Sequence, residues 1–124
     1  MKYFKDTDFL CKCGCGTTCT DELKQKLDNA REYAGIPFII NSPARCAKHN
    51  ASVGGAKASR HLPMVKDKDG KMKSDATDIR ALDGKSKFLV VKGMIQAGFK
   101  GIGINFTKGF VHGDLRPDEI IFPY

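Results

Sequence analysis

Hydrophobic residues recur at helical spacing in the first third of the chain. They follow one another at intervals of four, three and four residues: Leu23, Leu27, Ala30 and Ala34. These intervals place all four side chains on one face of a helix, which can then pack against a core. Thr20 can cap the first turn, and Gly35 can end the helix in the left-handed conformation. We therefore predict a scaffold helix between Thr20 and Gly35.

A second helical pattern covers residues 85–97. Phe88, Val91 and Ile95 form its predicted inward face, and Gly98 follows as the residue that closes the helix. The chain therefore has two main predicted helices, with the first in its N-terminal half and the second in its C-terminal half.

Shorter apolar runs between and after these helices have the length of strands: residues 38–40, 76–79, 101–106, 110–115 and 120–122. Asp69-Gly70 is a hairpin turn signal within a charged segment, so residues 64–73 are predicted to form an inserted hairpin that projects into solvent. Residues 46–58 contain two adjacent glycines and are predicted to be a loop. The order of these elements predicts an α+β fold, with two main helices packed on a small antiparallel sheet.

The size and composition of the chain fit one folded domain over residues 1–124. Of its 124 residues, 41% are hydrophobic, which is enough for one modest core. No apolar run approaches membrane-spanning length, and the N-terminus lacks the basic and then apolar order of a secretory signal. We therefore expect a monomer that is made in the cytoplasm and is not inserted into a membrane.

The chain carries a formal net charge of +7. Such a charge attracts polyanions such as nucleic acid, anionic lipid or an anionic cell wall, or it serves solubility alone. The 21 lysines and arginines are scattered, and no basic strip is interleaved with aromatic residues. Because nucleic-acid-binding proteins usually show such a strip, we do not expect nucleic acid as a partner.

Five cysteines form an unusual set. Four lie in a Cys-rich loop over residues 8–20, namely Cys11, Cys13, Cys15 and Cys19, and Cys46 lies apart. In a chain without a secretory signal, such a cluster favours metal binding or free thiols over disulfides. The C-x-C spacing is tight for one tetrahedral zinc, which would need Cys46 as a further ligand. Two interpretations stay open: a metal or disulfide site, and small thiols packed as hydrophobes. The first, together with the charge, leaves a nucleic-acid-binding zinc protein as an alternative.

Candidate ligands for a catalytic metal lie further along the chain. His61, Asp78 and His112 offer two imidazoles and one carboxylate, a set that catalytic zinc uses with one coordination position left open. Asp78 and His112 both fall in apolar, strand-like segments, where an unpaired polar group is costly to bury. Asp114 shares a strand face with His112, which would place a carboxylate beside the open position as a general base.

Four further residues carry alternative interpretations. Arg45 follows a predicted core strand and a turn, so it is either held firmly to grip a carboxylate or is an ordinary surface arginine. His49 is a possible ligand, but a structural or surface role fits it better. The pair Asp67 and Asp69 suggests a calcium loop, but no glutamate stands at the closing position of an EF-hand.

The segments around these residues resemble one family, the zinc D-alanyl-D-alanine carboxypeptidases with their relatives among phage endolysins. Ser59-x-His61, followed by Ser74-x-Ala76-x-Asp78, is similar to the family motif Ser-x-His-x-x-Gly-x-Ala-x-Asp. Residues 40–56 are similar to its Ser-Gly-x-Arg…Asn…Gly-Gly run, and residues 111–116 resemble its closing His-x-Asp segment. The run Cys-x-Cys-Gly-Cys-Gly resembles a short phage-type branch of the family.

The chain departs from the family pattern at three places. A serine replaces the motif's glycine at position 74, ten extra residues separate the first histidine from the rest of the motif, and Ser42-Pro43 replaces Ser-Gly. A hairpin insert can leave its two ends close together, so the ligands can still meet. The hairpin over residues 64–73 is then expected to form one wall of the substrate cleft.

The resemblance implies roles for five residues. It assigns the zinc ligands to His61, Asp78 and His112, and it assigns Arg45 to the substrate's carboxylate or carbonyl oxygen. Asp114 is the expected catalytic carboxylate, although many family members carry that acid three residues before the last histidine, where this chain has a glycine.

The resemblance also implies a fold, a cofactor and a substrate. We expect a hedgehog-like or D-Ala-D-Ala-peptidase-like fold with Zn2+ in a cleft. The expected activity is hydrolysis of peptidoglycan stem peptides, either as a carboxypeptidase or as an endolysin-type endopeptidase. The resemblance also implies a phage-encoded enzyme that leaves the bacterial cytoplasm to act on the cell wall. The alternative is a catalytically idle zinc-binding cell-wall or virion module of the same fold.

Overall fold

A five-stranded sheet and two long helices form the framework of the protein. The computed structural model describes residues 1–124. The helices are α1 (Asp21–Ala34), α2 (Ala47–Ser52) and α3 (Gly84–Ala97), and a short 3-10 helix covers Asp6–Phe9. The strands are β1 (Ile40–Ser42), β2 (Val65–Lys66), β3 (Met72–Lys73), β4 (Ala76–Arg80), β5 (Gly101–Asn105), β6 (Phe110–Asp114) and β7 (Ile120–Pro123). The large sheet has the order β1-β4-β6-β5-β7, in which only the β5–β7 pair is parallel. The predicted α+β fold is therefore confirmed.

Helix α1 forms where the sequence predicts it. The Thr20 side chain accepts a hydrogen bond from the Leu23 N–H at 3.1 Å, and Gly35 ends the helix with a φ of +71°. The four residues of the predicted apolar face are all buried: Leu23, Leu27, Ala30 and Ala34. This helix supplies one wall of the hydrophobic core.

Helix α3 has the predicted position but a different inward face. Phe88 and Ile95 are 69% and 53% exposed, so their prediction as inward residues is wrong. Val91 is partly buried and packs against the core as expected. The fully buried residues of this side are Val90, Gly93 and Met94. Apolar residues occur around most of α3, so their spacing does not determine which face turns inward.

Gly93 determines which face of α3 packs against α1. A Cβ at this position would lie 3.0 Å from the Cβ of Ala34 and closer still to the carbonyl oxygen of Ala30. The lack of a side chain therefore lets the two helix backbones approach one another closely. This contact turns Gly93, and with it Val90 and Met94, toward the core.

The inserted segment forms the predicted hairpin. Strands β2 and β3 pair antiparallel, and Gly70 has the positive φ of +81° that the turn requires. Asp67 forms an ion pair with Lys73 at 2.9 Å and accepts a hydrogen bond from the backbone N–H of Asp21 at 3.1 Å. The hairpin therefore lies against the start of α1, and it does not project freely into solvent as expected.

Two local predictions differ from the structure. Residues 46–58, expected to be a loop, contain α2, because the Cys46 side chain accepts a hydrogen bond from the His49 N–H and starts a helical turn. The first strand begins two residues later than expected, at Ile40, and runs to Ser42. None of the helices has the length and apolar character that a bilayer crossing requires.

The two central strands separate the core from a polar face. Ile79 on β4 and Val111 on β6 pair with one another and lie in the core. Their neighbours Asp78 and His112 also pair, and successive side chains of a strand point to opposite faces. The face of the sheet opposite the core therefore carries Asp78 and His112 side by side.

Candidate metal centre

The structure brings His61, Asp78 and His112 together. Asp78 Oδ1 lies 3.1 Å from His61 Nε2 and 3.0 Å from His112 Nδ1. All three residues are at most 3% exposed. The candidate ligand atoms of the three residues lie within 4.8 Å of one another, which is close enough to share one metal ion.

The outer hydrogen bonds of both histidines determine which ring nitrogen faces the centre of this group. His61 Nδ1 lies 2.8 Å from the carbonyl oxygen of Pro43, which can only accept a hydrogen bond. His112 Nε2 lies 2.7 Å from Asp114 Oδ2, which accepts in the same way when ionised. With a metal bound, each ring would therefore carry its proton on the outer nitrogen and direct the lone pair of the other nitrogen inward, as metal-ligating histidines do.

This donor set fits zinc. Two imidazole lone pairs and one carboxylate oxygen converge, and without a cation between them these acceptors would repel one another. Zinc bonds to nitrogen and oxygen of about 2.0–2.1 Å at tetrahedral angles would hold ligand atoms roughly 3.3 Å apart. The two separations of 3.0 and 3.1 Å lie close to that value.

In the metal-free protein, protons on the histidines offset the repulsion between these converging atoms. Burial alone would raise the pKa of Asp78, but hydrogen bonds from His112 and His61 outweigh it and lower the pKa to about 2. Burial would lower the pKa of His112, but its contacts with Asp114 and Asp78 raise it. A bound metal would replace the proton that the raised pKa retains on His112, because zinc binds neutral imidazole.

Asp114 lies behind His112. It is fully buried, and its carboxylate contacts His112 Nε2, the ring nitrogen that points away from Asp78. Arg116 donates to both carboxylate oxygens, at 2.8 Å from Nε and 2.6 Å from a terminal nitrogen. Burial would raise the pKa of Asp114, but Arg116 and His112 hold it well below its usual range. This placement favours a role in orienting His112 over the predicted role as the base.

Arg45 is not an ordinary surface arginine. It is 8% exposed, and its guanidinium donates to Ser42 Oγ at 2.9 Å and to Asn50 Oδ1 at 3.0 Å. A terminal nitrogen lies 3.5 Å from Asp78 Oδ2, the carboxylate oxygen that does not face the histidines. A Cβ at Gly55 would clash with both Asn50 and Arg45, so this glycine leaves the space in which the guanidinium is held.

The ten-residue insert leaves the ligand motif intact. Ser74 Oγ donates a hydrogen bond to the carbonyl oxygen of His61, and the Arg45 N–H donates to the same oxygen at 2.8 Å. The two ends of the insert are therefore tied together next to the site. The serine that replaces the family glycine supplies this bond.

A cleft of about 410 Å³ opens beside Asp78. Its lining is mostly basic and polar, and comprises Lys12, Asn41, Ser42, Arg45, His49, Val53, Asp78, Lys108 and Phe110. His49 lies here and outside the three-residue ligand group. No residue of the inserted hairpin lines the cleft, so the expectation that the hairpin forms one wall is wrong for this cleft. The hairpin instead contacts the start of α1 through Asp67.

The aromatic cover of His112 was not predicted from the sequence. The Tyr124 ring lies 4.6 Å from the His112 ring, and the Phe122 ring lies 5.7 Å from it, measured between centroids. Gly103 pairs with His112 and leaves room for these rings, since a Cβ there would clash with Phe122. Burial, with the charge of Asp78 nearby, raises the pKa of Tyr124 to about 12, so its hydroxyl stays protonated. Phe122 and Tyr124 are visible in the sequence as an aromatic pair at the C-terminal end, but nothing in their local sequence connects them to His112.

The cysteines divide into two groups. Cys19 is fully buried in the core, as expected for a small thiol that packs as a hydrophobe. Cys13 and Cys15 are exposed, so that interpretation does not hold for them. Cys11, Cys13, Cys15 and Cys46 form a second group whose sulfur atoms lie within 4.8 Å of one another, and all five cysteines are free.

Comparison with known families agrees with this geometry. Residues 2–114 match the family described as Peptidase M15, whose members are zinc-dependent in general. No curated protein sequence matches the chain. The match covers nearly the whole chain, including the three candidate ligands, Arg45 and Asp114, and it confirms the family that the sequence motifs indicated. The chain therefore belongs to the peptidase M15 family and is a hydrolase of peptide bonds.

Proposed function

We propose that the protein is a zinc peptidase that hydrolyses peptide bonds in peptidoglycan stem peptides. The observation that carries the proposal is the convergence of His61 Nε2, Asp78 Oδ1 and His112 Nδ1, with both outer imidazole nitrogens already bonded to acceptors. These three atoms would hold the zinc. When bound there, zinc would lower the pKa of a water molecule and polarise the scissile carbonyl.

The residues around the ligands would position the substrate. Arg45 lines the cleft and is fixed by Ser42 and Asn50, so it can hold a carboxylate or a developing oxyanion without first losing side-chain freedom. Asp114 would keep the proton of His112 on Nε2 and so direct Nδ1 toward the ligand position.

The charge of the cleft supports an anionic peptide as substrate. Lys12, Arg45 and Lys108 line it, and Asp78 is the only acidic residue among the lining residues. Stem peptides of peptidoglycan carry free carboxylates, and the wall around them is anionic. The basic cleft and the net charge of +7 would both favour their approach. Action on the cell wall after release from the bacterial cytoplasm, as a monomer, is part of the same proposal.

Digestion of purified peptidoglycan by the zinc-loaded protein tests this proposal. We expect new free amino groups that disappear with a chelator, and mass spectrometry of the muropeptides identifies the bond that is cut. The variant His61→Ala/His112→Ala should lose the zinc of this centre and the hydrolysis together. His49→Ala, which removes a cleft histidine outside the ligand group, is the matched control and should keep its zinc.

Two outcomes would contradict the proposal. If the His61→Ala/His112→Ala variant binds as much zinc as the wild type, these histidines do not hold a catalytic metal. Zinc bound at this centre without new amino groups would instead indicate the idle cell-wall or virion module, for which the commitment of both Asp114 oxygens to Arg116 and His112 is the motivating observation.

A further inference from the structure

The second cysteine group lies outside the candidate metal centre, and the proposed hydrolysis does not use it. It brings together one buried, one half-buried and two exposed residues from distant parts of the chain: Cys11, Cys46, Cys13 and Cys15. We propose that these four thiols bind a second, structural zinc ion.

The distances between the sulfur atoms fit one tetrahedral ion. The Sγ atoms of Cys11 and Cys13 lie 3.4 Å apart, those of Cys13 and Cys46 lie 3.5 Å apart, and those of Cys11 and Cys46 lie 3.9 Å apart. Zinc–sulfur bonds of about 2.3 Å at tetrahedral angles place sulfur atoms roughly 3.8 Å apart. A disulfide would instead bring two of them to about 2.0 Å. The group therefore has the dimensions of a thiolate metal site.

Two glycines explain how the tight C-x-C spacing can supply three ligands. Gly14 and Gly16 each follow a cysteine and have φ values of +82° and +90°, a conformation that other residues rarely adopt. The loop is closed by hydrogen bonds from the Cys11 N–H to Thr17 O at 2.7 Å and from the Gly14 N–H to Cys11 O at 3.1 Å. The chain can thus reverse direction twice and return Cys13 and Cys15 to one point.

Backbone donors support negative charge on the sulfur atoms. The Cys46 N–H points to Cys11 Sγ at 3.5 Å, and the His49 N–H points to Cys46 Sγ at 3.4 Å. N–H groups that donate to ligating sulfur stabilise the thiolate form that zinc requires, and binding would release the thiol protons to solvent.

Four thiolates saturate a tetrahedral zinc, so this site has no open position for a substrate and is structural. Its place in the chain indicates what it stabilises. Cys46 directly follows Arg45, and Lys12 lies between two of the ligands; Arg45 and Lys12 both line the cleft. The metal would therefore join the N-terminal loop to the turn that carries Arg45 and fix one side of the cleft.

Elemental analysis of the wild-type protein and four variants tests the second site. We expect two zinc ions per chain in the wild type, one in Cys13→Ser/Cys15→Ser, one in His61→Ala/His112→Ala and none in the combination. Cys19→Ala, which changes the cysteine outside the group, should retain both ions. Circular dichroism establishes whether each variant is folded.

A measurement on the unmodified chain does not depend on how the variants fold. Replacement of zinc by Co2+ should produce thiolate-to-cobalt charge-transfer absorption in the near ultraviolet together with the intense visible bands of a tetrahedral site. That absorption should persist in His61→Ala/His112→Ala. Its absence from the cobalt-loaded wild type, or disulfides that persist among these cysteines after purification with a reductant, would overturn the proposal. Loss of peptidase activity alone would not bear on it.

Discussion

At the scale of single residues, the role of Asp114 can be separated from that of a base. Asp114→Asn should weaken zinc binding about 10–100-fold, because the carboxylate that fixes the His112 ring loses its charge. Competition with a chelator of known affinity measures this loss, and hydrolysis should recover partly when zinc is raised to saturation. Asp118→Asn, which removes an exposed carboxylate nearby, is the matched control and should bind zinc as the wild type does.

The opposite result would restore the base assignment. If Asp114→Asn keeps its zinc affinity but loses hydrolysis and the acidic limb of the pH–rate profile, the carboxylate takes part in proton transfer. Its neighbours Arg116 and Arg60 would then have to release it during the reaction, since they lie 2.6 and 3.9 Å from its oxygens.

The three candidate ligands could be identified from the sequence because each stands in a local motif. His61, Asp78 and His112 are recognisable from their immediate neighbours, and a strand register is enough to place the last two side by side. Tyr124 has no such context. Its place over His112 depends on the pairing of β7 with β5 and on the space above Gly103, both of which arise only in the folded chain.

At the scale of elements, the packing of α1 against α3 depends on Gly93. Gly93→Ala should destabilise the protein by about 1–3 kcal/mol, because the added methyl group meets the Ala30 carbonyl oxygen and Ala34. Thermal or urea unfolding measures the change. The helix-propensity gain of about 1 kcal/mol at this interior position opposes the loss. Gly84→Ala, at the first residue of the same helix, is the steric control, because a Cβ there meets no neighbouring atom.

A Gly93→Ala protein as stable as Gly84→Ala would show that the helices can separate without cost. The same contact explains why α1 could be predicted in full and α3 only in part. The apolar residues of α1 lie on one face, whereas those of α3 are distributed around the helix. The contact with α1 therefore determines which apolar residues of α3 turn inward.

At the scale of the whole molecule, the basic cleft should make substrate binding depend on salt. Lys108→Glu should raise the KM for peptidoglycan fragments about two- to fivefold at low ionic strength, because it reverses an exposed charge that lines the cleft. The difference should shrink as salt is added. Lys92→Glu, on the exposed side of α3, lowers the net charge of +7 by the same two units and should leave KM nearly unchanged.

Equal effects of the two substitutions would mean that overall charge, and not the cleft, attracts the substrate. The net charge could be read from the sequence, but the clustering of basic residues in the cleft beside Asp78 could not be predicted from it. Lys12 and Lys108 are far apart in the chain and meet at the cleft through the Cys-rich loop and the β5–β6 turn.

The alternation of faces along β6 limits how the length of this chain can change during evolution. His112 and Asp114 lie on the polar face, while Val111 and Gly113 lie on the core face, against Met94 in the case of Gly113. Insertion or deletion of one residue within β6 would exchange these faces and bury the imidazole and the carboxylate under the helices. Ten extra residues between His61 and Asp78 are accommodated, because Ser74 ties the ends of that insert together. Length variation among related chains should therefore concentrate in the hairpin and spare β4 and β6.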